Sequence, residues 1–187
     1  MKSSWRYFNS AVCSALLLAG LVTSSVAADL TPAQKASVDK KIEEIKTWAA
    51  DQAIVKAVKD QNSAPTADVT GLDQKKWDAL TVMDPAIRGF SKGAAAEVLK
   101  SKKGEVVSEA FLSDSEGRKV AFLAKTSSWS HKGKGKHDEP MAGKVWIGKV
   151  EVDASSGVQQ LQVAVPVLDG SKAIGSLVVG LSVTKLQ

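Results

Sequence analysis

Two hydrophobic periods divide the chain. From Thr31 to about Asp60, Val38, Ile42, Ile45 and Ala49 recur at helical spacing, and Val55 and Val58 continue the marking. Lys40, Lys41, Glu43, Glu44 and Lys46 fall on the other side, so the segment predicts an amphipathic helix. Thr31 and Pro32 supply a hydroxyl N-cap and a proline at the first helical position. The heptad drifts after Trp48. The pattern therefore predicts one long helix, or two with a kink near Asp51, laid against a domain rather than a coiled coil. Residues 62–72 read as a loop. A short helix follows Asp73, with Trp77 and Leu80 facing inward. Asp84 and Pro85 start another, whose buried side is marked by Ile87, Phe90, Ala94, Val98 and Leu99. Lys100, Lys102 and Lys103 suit its negative end, and Gly104 ends it.

Beyond Gly104 the period changes to two. Residues 106–112 and 119–124 read as strands around a turn at 113–117. Residues 145–152 make a third strand, with a turn at 153–157. The closing hairpin is the clearest: Leu161, Val163, Val165 and Val167, then Asp169-Gly170-Ser171-Lys172, then Leu177, Val179, Leu181 and Val183. Helices followed by an antiparallel meander argue for an α+β fold. Residues 126–143, polar and holding Gly133, Gly135, Pro140 and Gly143, are expected to form no regular core element. A loop of that length is usually functional or disordered.

The first residues follow a different logic. Lys2 and Arg6 precede an apolar run over residues 11–22, and Ser25-Val26-Ala27-Ala28 offers small residues for cleavage. The run is shorter than the ~20 residues a membrane span needs. Residues 1–28 thus read as a signal peptide, and residues 29–187 as a single domain, helical over 29–104 and sheet over 105–187. A periplasmic or secreted location follows. Cys13 and Tyr7 leave with the signal, so disulfides and thiolate chemistry are not expected. Cys13 also precedes Leu16-Leu17-Leu18, which argues against a lipoprotein. With Lys2 and Arg6 gone, 23 basic residues stand against 20 acidic ones. That balance gives no reason to expect nucleic acid.

Candidate chemistry gathers in and beside the polar segment. Trp129 and Trp146 flank it and could wall a pocket. Lys144 abuts a strand, and beside His131 it suits a carboxylate or phosphate. Lys132, Lys134 and Lys136 lie in a Gly-Lys-Gly-Lys run that reads as solvated. His131, His137, Asp138 and Glu139 offer metal-ligand chemistry, although His-x5-His matches no closed-site spacing, and no metal site is assigned. No Gly-x-Ser-x-Gly elbow is present. Asp114, Glu116 and Asp169 sit in turns, where carboxylates bond local backbone. Neither an enzyme nor a cofactor is expected.

Three stretches carry a family resemblance. Residues 48–58 followed by Asn62, residues 111–121, and residues 165–170 followed by Ile174-Gly175-Ser176-Leu177 resemble the first helix, first hairpin and last hairpin of extracellular Cache (PDC sensor) domains. The resemblance implies a PAS-like five-stranded antiparallel sheet, a long N-terminal helix and two further helices. It also implies small-molecule binding, often of organic acids or amino acids, between sheet and loops. Amino-acid-binding members carry an aspartate late in the last strand. Gly180 or its neighbour stands there in this chain, and the mature chain has no tyrosine.

The expectation is an exported, soluble, sensor-type domain that binds a small, anionic molecule through Trp129, His131, Lys144 and Trp146. Nothing after Gln187 transmits a signal, so a separate partner is expected to do so. The helix around Ile42, Ile45 and Trp48 is the candidate surface for a homodimer or a membrane receptor. The alternatives are a structural or interaction protein whose pocket is filled by its own side chains, and a metal-binding protein using the 131–139 segment.

Overall fold

The computed structural model describes residues 30–152 and 157–187. The signal-peptide reading, with Cys13 and Tyr7, lies outside the described residues, as does most of the 153–157 turn. Helix α1 spans Pro32–Ala49, opened by a capping box in which Thr31 and Gln34 exchange backbone-to-side-chain bonds. Helix α2 spans Gln52–Ser63. Of the two arrangements the pattern allowed, the broken one is present. The Asp51 carboxylate accepts the Ala53 N–H at 2.9 Å and caps a fresh helix.

Helices α3 (Ala67–Thr70), α4 (Gln74–Ala79), α5 (Pro85–Lys92) and α6 (Ala94–Lys102) follow. α3 lies inside the expected loop. The single helix expected after Asp84 is two, broken at Gly93, whose backbone is extended. The restart rotates Ala94 outward and turns Ala95, Ala96 and Leu99 inward. No helix among the described residues is long and apolar enough to cross a membrane.

Strands β1 (Val107–Ser113), β2 (Lys119–Phe122), β3 (Trp146–Val152), β4 (Gln159–Asp169) and β5 (Lys172–Ser182) form one antiparallel sheet in the order β2-β1-β5-β4-β3. The α+β class and the five strands are as expected, but the sheet is not a simple meander. β1 lies beside β5, so residues 123–145 must carry the chain from one edge of the sheet to the other. They do so across one face. Helix α7 (Gly135–Met141) forms within this crossing and packs on β3, β4 and β5. The segment expected to lack regular structure is thus partly helical, and it covers a sheet face.

The two sheet faces have different cores. Ala110, Leu112, Leu161, Val163, Val165, Val167, Leu177, Val179 and Leu181 pack under α1, α2 and α6. Ile42, Ile45 and Trp48 are buried there, Ile45 fully. They seal this chain's own core, so that side of α1 is not open to a partner. Fully burying each such side chain contributes about 1.5–3 kcal/mol. The other face carries Phe111, Phe122, Ala164 and Val178 and is covered by Trp77, Ile87, Phe90 and Trp129. A bulge at the β1–β2 pair matters for this face. Leu112 pairs with Ala121 but Ser113 pairs with Lys119. The extra residue, Val120, turns Lys119 onto the same face as Ser113.

Candidate functional site

The centre of the second face is filled. Trp129 packs at a tilt 5.0 Å from Trp77 and 5.6 Å from Phe90, and Phe122 stands edge-on to Trp77 at 6.0 Å. The Trp77 indole donates to the Thr126 carbonyl at 2.7 Å, and the Trp129 N–H donates to Gln74 Oε1 at 2.9 Å. These bonds fix the start of the crossing segment on the sheet.

Beside the aromatics lies a buried polar cluster. Lys119 Nζ sits 2.7 Å from His131 Nδ1 and 3.4 Å from the Trp129 carbonyl. The His131 ring stacks on Phe111 at 4.9 Å, and the lysine ammonium lies 4.8 Å from the same ring. Burial, aided by Lys136 and Lys134, pushes Lys119 down to about 7. Burial and the neighbouring Lys119 push His131 down to about 2, so the imidazole stays neutral and can accept from the amine. His137 Nδ1 meets Ser176 Oγ at 2.8 Å, and burial lowers its pKa as well. Ser113 Oγ is buried with no hydrogen-bond partner among the described residues.

Further along the sheet, where α7 ends its cover, a cleft of about 400 Å³ is bounded by Lys136, Trp146, Gly148, Lys149, Glu151, Gln160 and Gln162. Two glycines seat its aromatic wall. A Cβ at Gly135 would stand 2.8 Å from Trp146 Nε1, and one at Gly148 would stand 2.7 Å from its Cη2. Lys136 Nζ donates to Gln162 Oε1 and lies 6.0 Å from the indole centroid. Burial lowers its pKa, while Glu109 opposes that shift.

The floor beside the cleft is a carboxylate held by amides. Glu109 Oε1 accepts Gln160 Nε2 at 2.9 Å and Gln162 Nε2 at 2.5 Å, and Ser108 Oγ donates to Gln160 Oε1 at 2.6 Å. These side chains come from β1 and β4 and meet over β5 because Gly180 has no side chain. A Cβ there would lie 2.6–2.7 Å from Ser108 Oγ, Gln160 Oε1 and Glu109 Cγ.

The four residues singled out from the sequence do not converge. Trp146 walls the cleft. Trp129 and His131 are buried in the packed centre. Lys144 is exposed and sits 3.6 Å from Glu139. The metal-type residues separate too. His131 faces Lys119, His137 faces Ser176, Asp138 accepts the Gly133 N–H, and Glu139 faces Lys144. Among the described residues no group of three or more side chains is placed to hold a metal. Lys119, Glu109, Gln160 and Gln162 were not singled out from the sequence, and Lys136, expected to be solvated, is instead half-buried at the cleft. The two glutamines carried a signal: they alternate with Leu161 and Val163, which places both amides on one sheet face.

No family model and no curated protein matches the chain. Solved structures do. The sensor domain of the Vibrio cholerae histidine kinase DctB is similar with a TM-score of 0.50 at 18% identity, over 80% of this chain and 50% of that one. The Escherichia coli DcuS sensor domain has a TM-score of 0.48 at 15% identity, over 82% and 94% of the two chains. The ligand-binding domain of the Pseudomonas aeruginosa amino acid chemoreceptor PctC, solved with GABA, has a TM-score of 0.38 at 16% identity, over 80% and 62%. The fold is the PAS-like one of Cache/PDC-type sensor domains. The chain spans about half the length of the DctB domain it matches.

Proposed function

We propose that the protein is a sensor-type domain that binds a small anionic organic molecule in the cleft between α7, β3 and β4. The carrying observation is Lys136. Its ammonium is drawn into the cleft beside an indole and bonded to an amide oxygen. No carboxylate within ion-pair distance accompanies it among the described residues. An incoming carboxylate would replace the amide with a charge-assisted bond, while Trp146 shields it from water. Gln160 and Gln162 supply further polar contacts and Lys149 a second cation. In this reading the domain is exported and passes its bound state to a separate partner.

Thermal unfolding against a panel of mono- and dicarboxylates tests the reading. A ligand at a hundred times its Kd adds about 2.7 kcal/mol, and Lys136→Gln abolishes that gain while leaving the unliganded protein folded. A second reading, an interaction protein with a self-filled pocket, draws support from the aromatic and Lys119–His131 packing that occupies the sheet centre. Absence of any stabilising carboxylate, with protein first unfolded and refolded to strip it, would favour that reading.

A further inference from the structure

The α1–α2 elbow opens a second groove, of about 540 Å³, which shares no lining residue with the cleft. Its origin is local. The helix breaks at Ala50, and the small Ala49 and Ala50 leave space that Val55, Val145, Pro166 and Leu168 complete. Leu168 is 42% exposed, so apolar surface remains uncovered by the chain's own core. One charged side chain, Lys46, lines this groove. A shallower extension continues past Ala50, Val55 and Leu168 to the ion pairs Lys56–Asp60 and Lys59–Asp169. The volume lies in the range of small-molecule sites.

An apolar trough with a cation at its rim selects an amphiphile with an anionic head. We infer that this groove binds a straight-chain alkyl carboxylate, its chain along Ala50, Val55, Pro166 and Leu168 and its carboxylate on Lys46 Nζ. Lys46 already pairs with Glu43 at 2.7 Å, but the two side chains are 45% and 71% exposed. Such exposed pairs contribute little, so Lys46 can exchange Glu43 for a ligand carboxylate whose tail is buried. The site is independent of the proposed cleft ligand.

Isothermal titration of the protein with hexanoate, octanoate, decanoate and dodecanoate, all below micellar concentration, tests this. Affinity is expected to rise about fourfold per methylene and to level off when the groove is full. Lys46→Gln is expected to weaken decanoate about threefold while leaving decanol unchanged. Ala50→Trp, which fills the trough, is expected to remove both, with its unfolding midpoint recorded to show that it folds. Affinity independent of chain length, equal binding of decanoate to Lys46→Gln, or undiminished binding to folded Ala50→Trp would each overturn the inference. So would failure of every chain length to bind, or loss of decanoate binding in Lys136→Gln, which would move the ligand to the cleft.

Discussion

Lys119 Nζ lies 2.7 Å from His131 Nδ1, and both side chains are buried. No carboxylate sits within ion-pair distance of this amine among the described residues, so burial holds its folded pKa at about 7, against an ordinary 10.5. The unfolded chain therefore binds more protons than the folded one between those values, and stability rises with pH across the window. The slope approaches 1.36 kcal/mol per unit. Urea unfolding at pH 7.5 and 9.5 is expected to differ by about 2–3 kcal/mol. Lys119→Met should flatten the difference. Equal slopes in the two proteins would refute the assignment.

His131 acts in the same direction at lower pH. Its folded pKa is depressed from 6.5 to about 2, so the stability linked to its neutral form is lost as pH falls below 6.5. His131→Phe, which keeps a ring against Phe111, is expected to reduce the loss of stability between pH 6.5 and 4, read as a smaller fall in unfolding midpoint.

Two glycines of β5 should differ in their tolerance of a methyl group. A Cβ at Gly175 would meet the Ser113 carbonyl oxygen at 2.3 Å and Val58 Cγ1 at 2.9 Å. At Gly180 the obstacles are side-chain atoms that can turn away. Gly175→Ala is expected to cost about 3 kcal/mol and Gly180→Ala about 1 kcal/mol. Thermal midpoints of the two variants order them. Gly180→Ala should also disturb the Glu109 amide pairing and weaken any cleft ligand.

Asp114 organises the β1–β2 turn. Its fully buried carboxylate accepts the Glu116 and Arg118 N–H groups, Arg118 Nε and Gln61 Nε2, all at 2.8–3.0 Å. Asp114→Ala leaves four donors without that acceptor and is expected to destabilise by about 3–5 kcal/mol. By contrast, Lys144→Ala removes an exposed side chain 3.6 Å from Glu139 and should change stability by less than about 0.5 kcal/mol. Denaturant titration of both variants checks the contrast.

The sheet was legible because one face of each closing strand is continuously apolar. Leu161, Val163, Val165 and Val167 are each at most 2% exposed. The site was less so, for two physical reasons. Lys119 shares strand parity with Ala121, which a regular ladder would place under the helices, and only the Val120 bulge reverses that. Lys136 sits in a glycine- and lysine-rich run whose composition suggests solvent. Its burial follows from strand order, because a chain passing from β2 to β3 must cross the sheet. Strand order depends on long-range pairing that local periodicity does not encode.

Trp146, seated between Gly135 and Gly148, also gives the molecule a built-in optical reporter. The other described tryptophans, Trp48, Trp77 and Trp129, are 4% exposed or less, whereas Trp146 is partly open to solvent. Among the described tryptophans, solvent quenching and ligand-dependent emission should therefore report chiefly on one indole, the one at the cleft wall. Occupancy can then be followed on the unlabelled protein, with Trp146→Phe as the optical blank.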